Sequence, residues 1–563
     1  MSPSDIFYKY HYEGLCGSVV VNSNGGVIGI HVAGERRGNR GVALRLPGEV
    51  LKDISNVLNS TNGFLLDVDL SSKDIENFSG IKLKENLQVF APKKSDFIPS
   101  PMYGVFDVTR KPANLVADGP HTVKTCAKKS FKPVKQVDQE ELDFGKKVVS
   151  LMIEDFTDLP MREVISGNDL LSGINKKSSN GFNCPKEKTD CIDYANSDLT
   201  ENFKLEYNDF LSQVRTKTLC LKDVVWCEVP KDELRNVDKI LPRTFRVSRI
   251  HMQILTKTIF GRMVEQIIRE RDSNEIMIGV NPFKEWNNIY NKVNPYPKFA
   301  GDVKAWDGSM LPQVQYAIYE ILREKYRGND VYLDFILGSM NSTPVAVNDD
   351  TFLTTHSMPS GSFLTAIMNS IVNRFYTAMW YFREVKAVKC PNAFEFSKDV
   401  LDMVYGDDKL NAIKNPKYRK ILNAVTMRNF FQSIGMDFTT ADKKEIVNPF
   451  QNWKDITFLK RAFCYHPELK EIVGPLDIST IFSTLSWVNG KKDVDVILED
   501  KINAFQREIY LHPTKYIDCM KILIKRAELE QIPLKILTVS YLKGLYHTGN
   551  YEQREELYGI KFQ

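Results

Sequence analysis

Over the first fifty residues the apolar positions fall in short strand-like runs, 18–22 and 27–32, joined by an Asn-Gly-Gly turn at 24–26. Residues 51–92 turn polar and acidic, which predicts a short helix and a linker, and 93–101 is a basic connector punctuated by proline. From there to about residue 461 helical and strand patterns alternate, and the last hundred residues are mostly helical. Within 501–511, for example, Ile502, Phe505, Ile509 and Tyr510 recur at helical spacing. The longest apolar stretch, 366–382, carries Asn369, Asn373 and Arg374, so the pattern predicts a core helix and not a membrane span. No 20–50-residue repeat and no low-complexity segment interrupts the chain.

Composition adds little to this picture. A chain of 563 residues implies more than one core, and 43% hydrophobic with 26% charged residues is ordinary for a globular protein. A net charge of +4 permits a nucleic-acid partner without arguing for one, so any basic track must be local. The nine cysteines are scattered. Cys184, Cys191, Cys220 and Cys227 form two close pairs, but the spacing within each is wider than the roughly two to four intervening residues of structural zinc sites, and reduced thiols are expected. No secretory signal pattern is visible.

Candidate chemistry first appears in residues 401–413, where two apolar runs flank Gly406-Asp407-Asp408, a hairpin signal. Alone, this is as well explained by a solvated turn. A second acidic pair, Asp302 and Asp307, follows a short apolar strand start, where a helix cap is the bland alternative. Together the pairs suit nucleotidyl transfer, which needs carboxylates from separate strands to hold two divalent cations about 3.5–4 Å apart. One cation lowers the pKa of an attacking 3′-hydroxyl and the other neutralises the leaving pyrophosphate; Asp302 and Asp407 are the natural bridging pair. Between the pairs, Ser360 and Gly361 turn into a helix on which Thr365 and Asn369 share a face. Small hydrogen-bonding side chains of this kind can test for a ribose 2′-hydroxyl.

In order, these three segments resemble motifs A, B and C of the RNA-dependent RNA polymerases of picorna-like positive-strand RNA viruses, of the dicistrovirus and iflavirus type. The resemblance extends from about residue 93 to the C terminus. Lys231, Arg235, Lys239, Arg243 and Arg246 resemble motif F, which the family places over the incoming triphosphate; four to five positive charges match a triphosphate's charge. Ser178, Ser179, Gly181 and Pro185 resemble motif G on the template path. Lys443 ends a motif D and would be the general acid for pyrophosphate, while Lys460 and Arg461 match motif E, which supports the primer. The resemblance implies Asp302, Asp407 and Asp408 as ligands of two Mg²⁺ ions, with Mn²⁺ as a substitute. It implies an RNA template and primer, ribonucleoside triphosphates, a protein primer and membrane-bound replication proteins as partners, in the host cytoplasm and with no anchor of the chain's own. The implied fold is α+β, a closed right hand: fingers 93–294 and 310–355, palm 295–309 and 356–465, thumb 466–563.

Residues 1–50 stand apart. Residues 14–18, with Cys16, and 29–34, with His31, resemble the C-terminal half of a chymotrypsin-like cysteine protease of the same viruses. There Cys16 would be the nucleophile and His31 would line the substrate pocket. A triad also needs a base well upstream, and His11 is too close in sequence to serve, so the expectation is an inactive remnant. Two other readings share parts of the evidence. A reverse transcriptase has the paired aspartates but usually a bulkier residue where this chain has Gly406; a catalytically silent RNA-binding scaffold would not need Asp302, Asp407 and Asp408 intact.

Overall fold

The computed structural model describes residues 94–548 apart from 128–134, 136, 183, 185–186, 240, 342, 349, 355 and 492, together with several short strands outside that range. The chain divides into two compact units, 1–66 and 67–563. The first contains an antiparallel sheet whose strands are ordered Asp5–Tyr8, Arg40–Arg45, Val27–Glu35, Val19–Val21. The two strand-like runs thus contribute neighbouring strands, while the turn read at 24–26 lies outside the described residues. Cys16 lies outside the described residues, and His31 is described only as a position in the strand Val27–Glu35.

The larger unit holds two principal sheets. One is antiparallel, ordered Val400–Tyr405, Asp408–Ile413, Lys298–Val303, Phe438–Thr439. Helix Thr365–Lys386 packs on it and is buried along most of its length, its buried polar side chains being taken up largely by bonds to neighbouring elements. No helix among the described residues is long and apolar enough to cross a membrane. The other sheet is mixed: Thr244–Val247, Trp226–Pro230, Pro344–Val347, Asp350–Thr354 and Gly80–Lys82, with one parallel pairing between Trp226–Pro230 and Pro344–Val347. Gly80–Lys82 lies inside the stretch read as linker, yet it pairs with Asp350–Thr354. Its three residues are too few to show a period of their own.

Past residue 466 the helices Ile478–Ser486, Val494–Tyr510, Tyr516–Leu529 and Val539–Thr548 build the expected helical end. Leu498, Ile502, Phe505 and Ile509 form one buried face of the second helix and pack with Leu523 of the third. The segment 97–106, read as fingers, packs on this helical core. Phe97–Pro99 pairs antiparallel with Trp487–Asn489, Met102 is fully buried in the core, and Phe106 stacks on Phe482 at 4.3 Å. Just before it, Ser95 Oγ and the Asp96 amide donate to Asp232, and just after it Arg110–Pro112 pairs with Leu234–Asn236. One chain segment therefore ties the basic 231–246 region to the helical end, which closes the hand.

Candidate active site

The hairpin is built as its sequence predicts. Pairing runs up to Tyr405 opposite Asp408, leaving Gly406 and Asp407 as a two-residue turn, and Gly406 takes φ +62°, where a side chain is disfavoured. Strand Lys298–Val303 pairs antiparallel with Asp408–Ile413, with Gly301 opposite Lys409 as the last pair. One more residue along that register brings Asp302 level with Asp408. The turn is fixed from below by helix Thr365–Lys386: the Gly406 amide donates to Ser370 Oγ at 2.8 Å, and Asn373 Nδ2 donates to the Gly406 carbonyl at 3.0 Å.

The electrostatics follow from this crowding. Burial and the neighbouring Asp407 charge push Asp408 up to about 7. Asp407 reaches solvent at the tip of the turn but is hemmed in by protein on its other sides, and it too is raised, by that desolvation. Asp302 forms an ion pair with Lys443, itself held in left-handed backbone at φ +65°. Burial, then the charges of Lys239 and Lys460, lower the Lys443 ammonium below its ordinary range.

Among the described residues no three acidic, His or Cys side chains converge as a preformed metal cage. The donor set nevertheless fits Mg²⁺, which is commonly held by one or two carboxylates and completed by substrate phosphates. Asp407 and Asp408 are hard oxygen donors that repel each other, and a divalent cation would relieve that repulsion.

On the sugar side, Asn369 Nδ2 donates to Asp307 Oδ1 at 2.8 Å, and Ser360 also bonds the Asp307 carboxylate. Burial pushes Asp307 up to about 6, and Asp407 adds to the shift. Thr365 does not join this group as its helical spacing suggested. Its hydroxyl bonds the carbonyls of Ser362 at 2.8 Å and Pro359 at 3.2 Å, the usual fate of a short side chain in a first helical turn.

The basic residues separate into two kinds. Lys231, Arg243 and Lys460 act electrostatically on one another or on the aspartates, and Lys239 acts with Lys460 on Lys443, so they share one region. Arg235, half-buried, lies beside Glu233 and Arg243. Arg243 is also held by Glu233 through two bonds of 2.5 and 2.6 Å. Arg246 is different: it is buried, paired with Glu228 at 2.9 Å and bonded to Ser357 Oγ at 2.5 Å. Arg461 is likewise buried, bonded to Glu508 at 2.7 Å and to the Gly474 carbonyl. The adjacent Lys460 sits on a two-residue turn with Leu459, both at positive φ, and its charge bears on Asp407 and Asp408.

Two glycines have a steric reason. A Cβ on Gly361 would stand 2.0 Å from the Arg246 carbonyl oxygen, and one on Gly181 2.0 Å from that of Ser248. Both loops therefore press on the same strand end. Ser178 and Ser179 are exposed beside Gly181, whose amide donates to Ser179 Oγ, while Pro185 lies outside the described residues. The residues that sequence reasoning missed are Ser370 and Asn373. In sequence Asn373 reads only as a polar residue that argues against a membrane span, and Ser370 carries no signal of its own.

The family described as "Viral RNA-dependent RNA polymerase" matches residues 114–522, which include every aspartate and lysine of this site. The chain belongs to that family. The polymerase is 25% identical to a replicase polyprotein of acute bee paralysis virus (strain Rothamsted) across 92% of this chain and 30% of that polyprotein. It is 24% identical to a replicase polyprotein of Drosophila C virus (strain EB) across 91% of this chain and 33% of that one. The polymerase thus spans about a third of the length of these relatives. Among solved structures it resembles the Sicinivirus 3Dpol RNA-dependent RNA polymerase, with a TM-score of 0.70 and 19% identity, covering 83% of this chain and 99% of that one. That likeness shows the right-handed polymerase fold.

Proposed function

We propose that this polymerase copies an RNA template into RNA from ribonucleoside triphosphates, with Asp302, Asp407 and Asp408 holding the divalent cations of the reaction. The observation that carries the reading is the strand pairing that brings Asp302 level with Asp408 beside the Gly406–Asp407 turn. Bound there, the cations would lower the pKa of the primer 3′-hydroxyl and neutralise charge on the triphosphate. That hydroxyl gives up its proton to solvent, its oxygen bonds to the α-phosphorus, and the bond from that phosphorus to the bridging oxygen breaks to release pyrophosphate. Lys443, an ammonium made more acidic by burial and by two neighbouring lysines, donates a proton to the leaving group. Lys231, Lys239 and Arg243 attract the triphosphate, and Lys460, whose charge bears on Asp407 and Asp408, supports the primer. Arg246 and Arg461 serve instead as internal braces. A protein primer, membrane-bound replication proteins and a site of action in the host cytoplasm belong to the same proposal.

Primer extension on a self-priming hairpin RNA with Mg²⁺ tests this reading, with ribo- and deoxynucleotides compared. Metal-dependent ribonucleotide incorporation supports it; preference for deoxynucleotides would favour a reverse transcriptase instead. The same assay checks the sugar contact. Asn369→Ala removes the donor to Asp307 and should weaken the preference for ribonucleotides by about 1–3 kcal/mol. An unchanged ratio of specificity constants for the two sugars would remove Asn369 from that role.

A pH dependence follows from the aspartates. Asp408 titrates at about 7, above its ordinary value, so below that pH it holds a proton that a cation must displace. The Mg²⁺ concentration for half-maximal activity should therefore rise as pH falls below 7, by up to about tenfold per unit for one displaced proton. A midpoint constant between pH 6 and 8 would contradict this.

A further inference from the structure

Beneath the turn, helix Thr365–Lys386 presents Ser370, Asn373, Arg374 and Thr377, spaced i, i+3, i+4 and i+7, so that they line one face. All four meet the hairpin. Ser370 and Asn373 hold Gly406 by its amide and carbonyl. Thr377 Oγ1 lies 3.1 Å from Asp402 Oδ1, and Arg374 donates to the Asp402 carbonyl at 3.2 Å. From the hairpin, Lys409 enters this stripe at 2% exposure. Its ammonium donates to Thr377 Oγ1 and, at 3.3 Å, to the Asn373 carbonyl, and stands 3.6 Å from the fully buried Asp402. Asn411 Nδ2 donates to Asp402 Oδ1 at 2.7 Å and completes the row.

Burying a lysine and an aspartate here is a poor way to gain stability, since an apolar pair of similar volume often does as well or better. Their arrangement does specify position. Lys409 and Asn411 share one face of their strand, while Leu410 and Ala412 point the other way. A one-residue slip of the hairpin would bury those apolar side chains against the polar stripe and strand Lys409 on the wrong face. The same helix carries Asn369, one turn before Asn373, which holds Asp307. One rigid element thus sets both the metal-side turn and the sugar-side carboxylate.

We propose that Lys409 is a positioning residue for RNA synthesis: with Asp402 it fixes the register of the Gly-Asp-Asp hairpin on helix Thr365–Lys386, and so places Asp407 relative to the Asn369–Asp307 pair. The proposal rests on the function proposed above. Two variants of the full chain test it, Lys409→Met and the double variant Asp402→Asn with Lys409→Met, the second leaving no buried charge uncompensated between the two positions. Each is assayed for kcat per active elongation complex, nucleotide KM and the half-activating Mg²⁺ concentration. The expected result is a kcat about tenfold to a hundredfold lower, the scale of a misplaced reacting group, with KM within about twofold and a higher Mg²⁺ midpoint. If the folded double variant matches the wild type in kcat and Mg²⁺ midpoint, the proposal is overturned. It is overturned equally if neither variant folds, because the network is then a folding element only. A wild-type chain that makes no RNA would strike the proposed function instead. In that case amide exchange across residues 400–413 decides: lost protection in the folded double variant supports the register role, and unchanged protection ends it.

Discussion

Asp407→Asn should abolish nucleotide addition, lowering it by about a thousandfold or more, equivalent to about 4 kcal/mol of transition-state stabilisation. The substitution keeps the size and one oxygen of the side chain but removes the charge that a divalent cation requires. Asp407 sits at the tip of a two-residue turn whose backbone is held by Ser370 and Asn373, so the exchange should not disturb the hairpin. Thermal stability and RNA affinity should stay near the wild-type values. Asp302→Asn should behave alike, with one difference: it also removes the anionic partner of Lys443. Primer extension under single-turnover conditions, beside an RNA-binding control, measures both. Turnover within about tenfold of the wild type in either variant would break the metal assignment.

Parts of this site were legible because they are local. A Gly-Asp-Asp triplet between two apolar runs specifies a hairpin, and the long apolar stretch 366–382, interrupted by Asn369, Asn373 and Arg374, specifies a core helix, whatever lies around them. The pairing of Phe97–Pro99 with Trp487–Asn489 was not legible, since three-residue strands almost 400 positions apart carry no signal in either segment alone. The packing of segment 97–106 on the helices past residue 466 is therefore visible only in the structure.

Charge was misleading for a different reason. Arg243 and Arg246 look equivalent in sequence, but only the structure reveals that Glu228 and Ser357 take up Arg246 in the interior. The same holds for Lys460 and Arg461, adjacent in the chain and opposite in fate, one facing the aspartates and the other Glu508. A run of basic residues announces a field; carboxylates elsewhere in the fold decide which members remain available to a ligand.

The second large effect should fall on stability. Arg374 is 1% exposed and donates to Glu275 Oε2 at 2.8 Å, to the Asp402 carbonyl and to Ser397 Oγ, with its guanidinium over the Phe396 ring. Glu275 in turn accepts from the Asp402 amide at 2.9 Å, and its own carbonyl accepts from the Val404 amide, so this pair anchors the first strand of the hairpin. Arg374→Met fills most of the volume but leaves Glu275 buried, with Lys414, 4.0 Å away, as the remaining nearby cation among the described residues. Removing one partner of a buried pair costs about 3–5 kcal/mol, because the remaining charge loses its compensation. Amide exchange within residues 400–405 reads this locally, as a fall in the free energy of opening of that size. Adding Glu275→Gln to Arg374→Met should recover part of the loss, since the stranded charge is then gone, and the double-mutant cycle should give a coupling of about 1–3 kcal/mol. A loss below about 1 kcal/mol in the single variant would mean that Glu275 has found another cation or a proton, and that Arg374 is not the anchor of the strand.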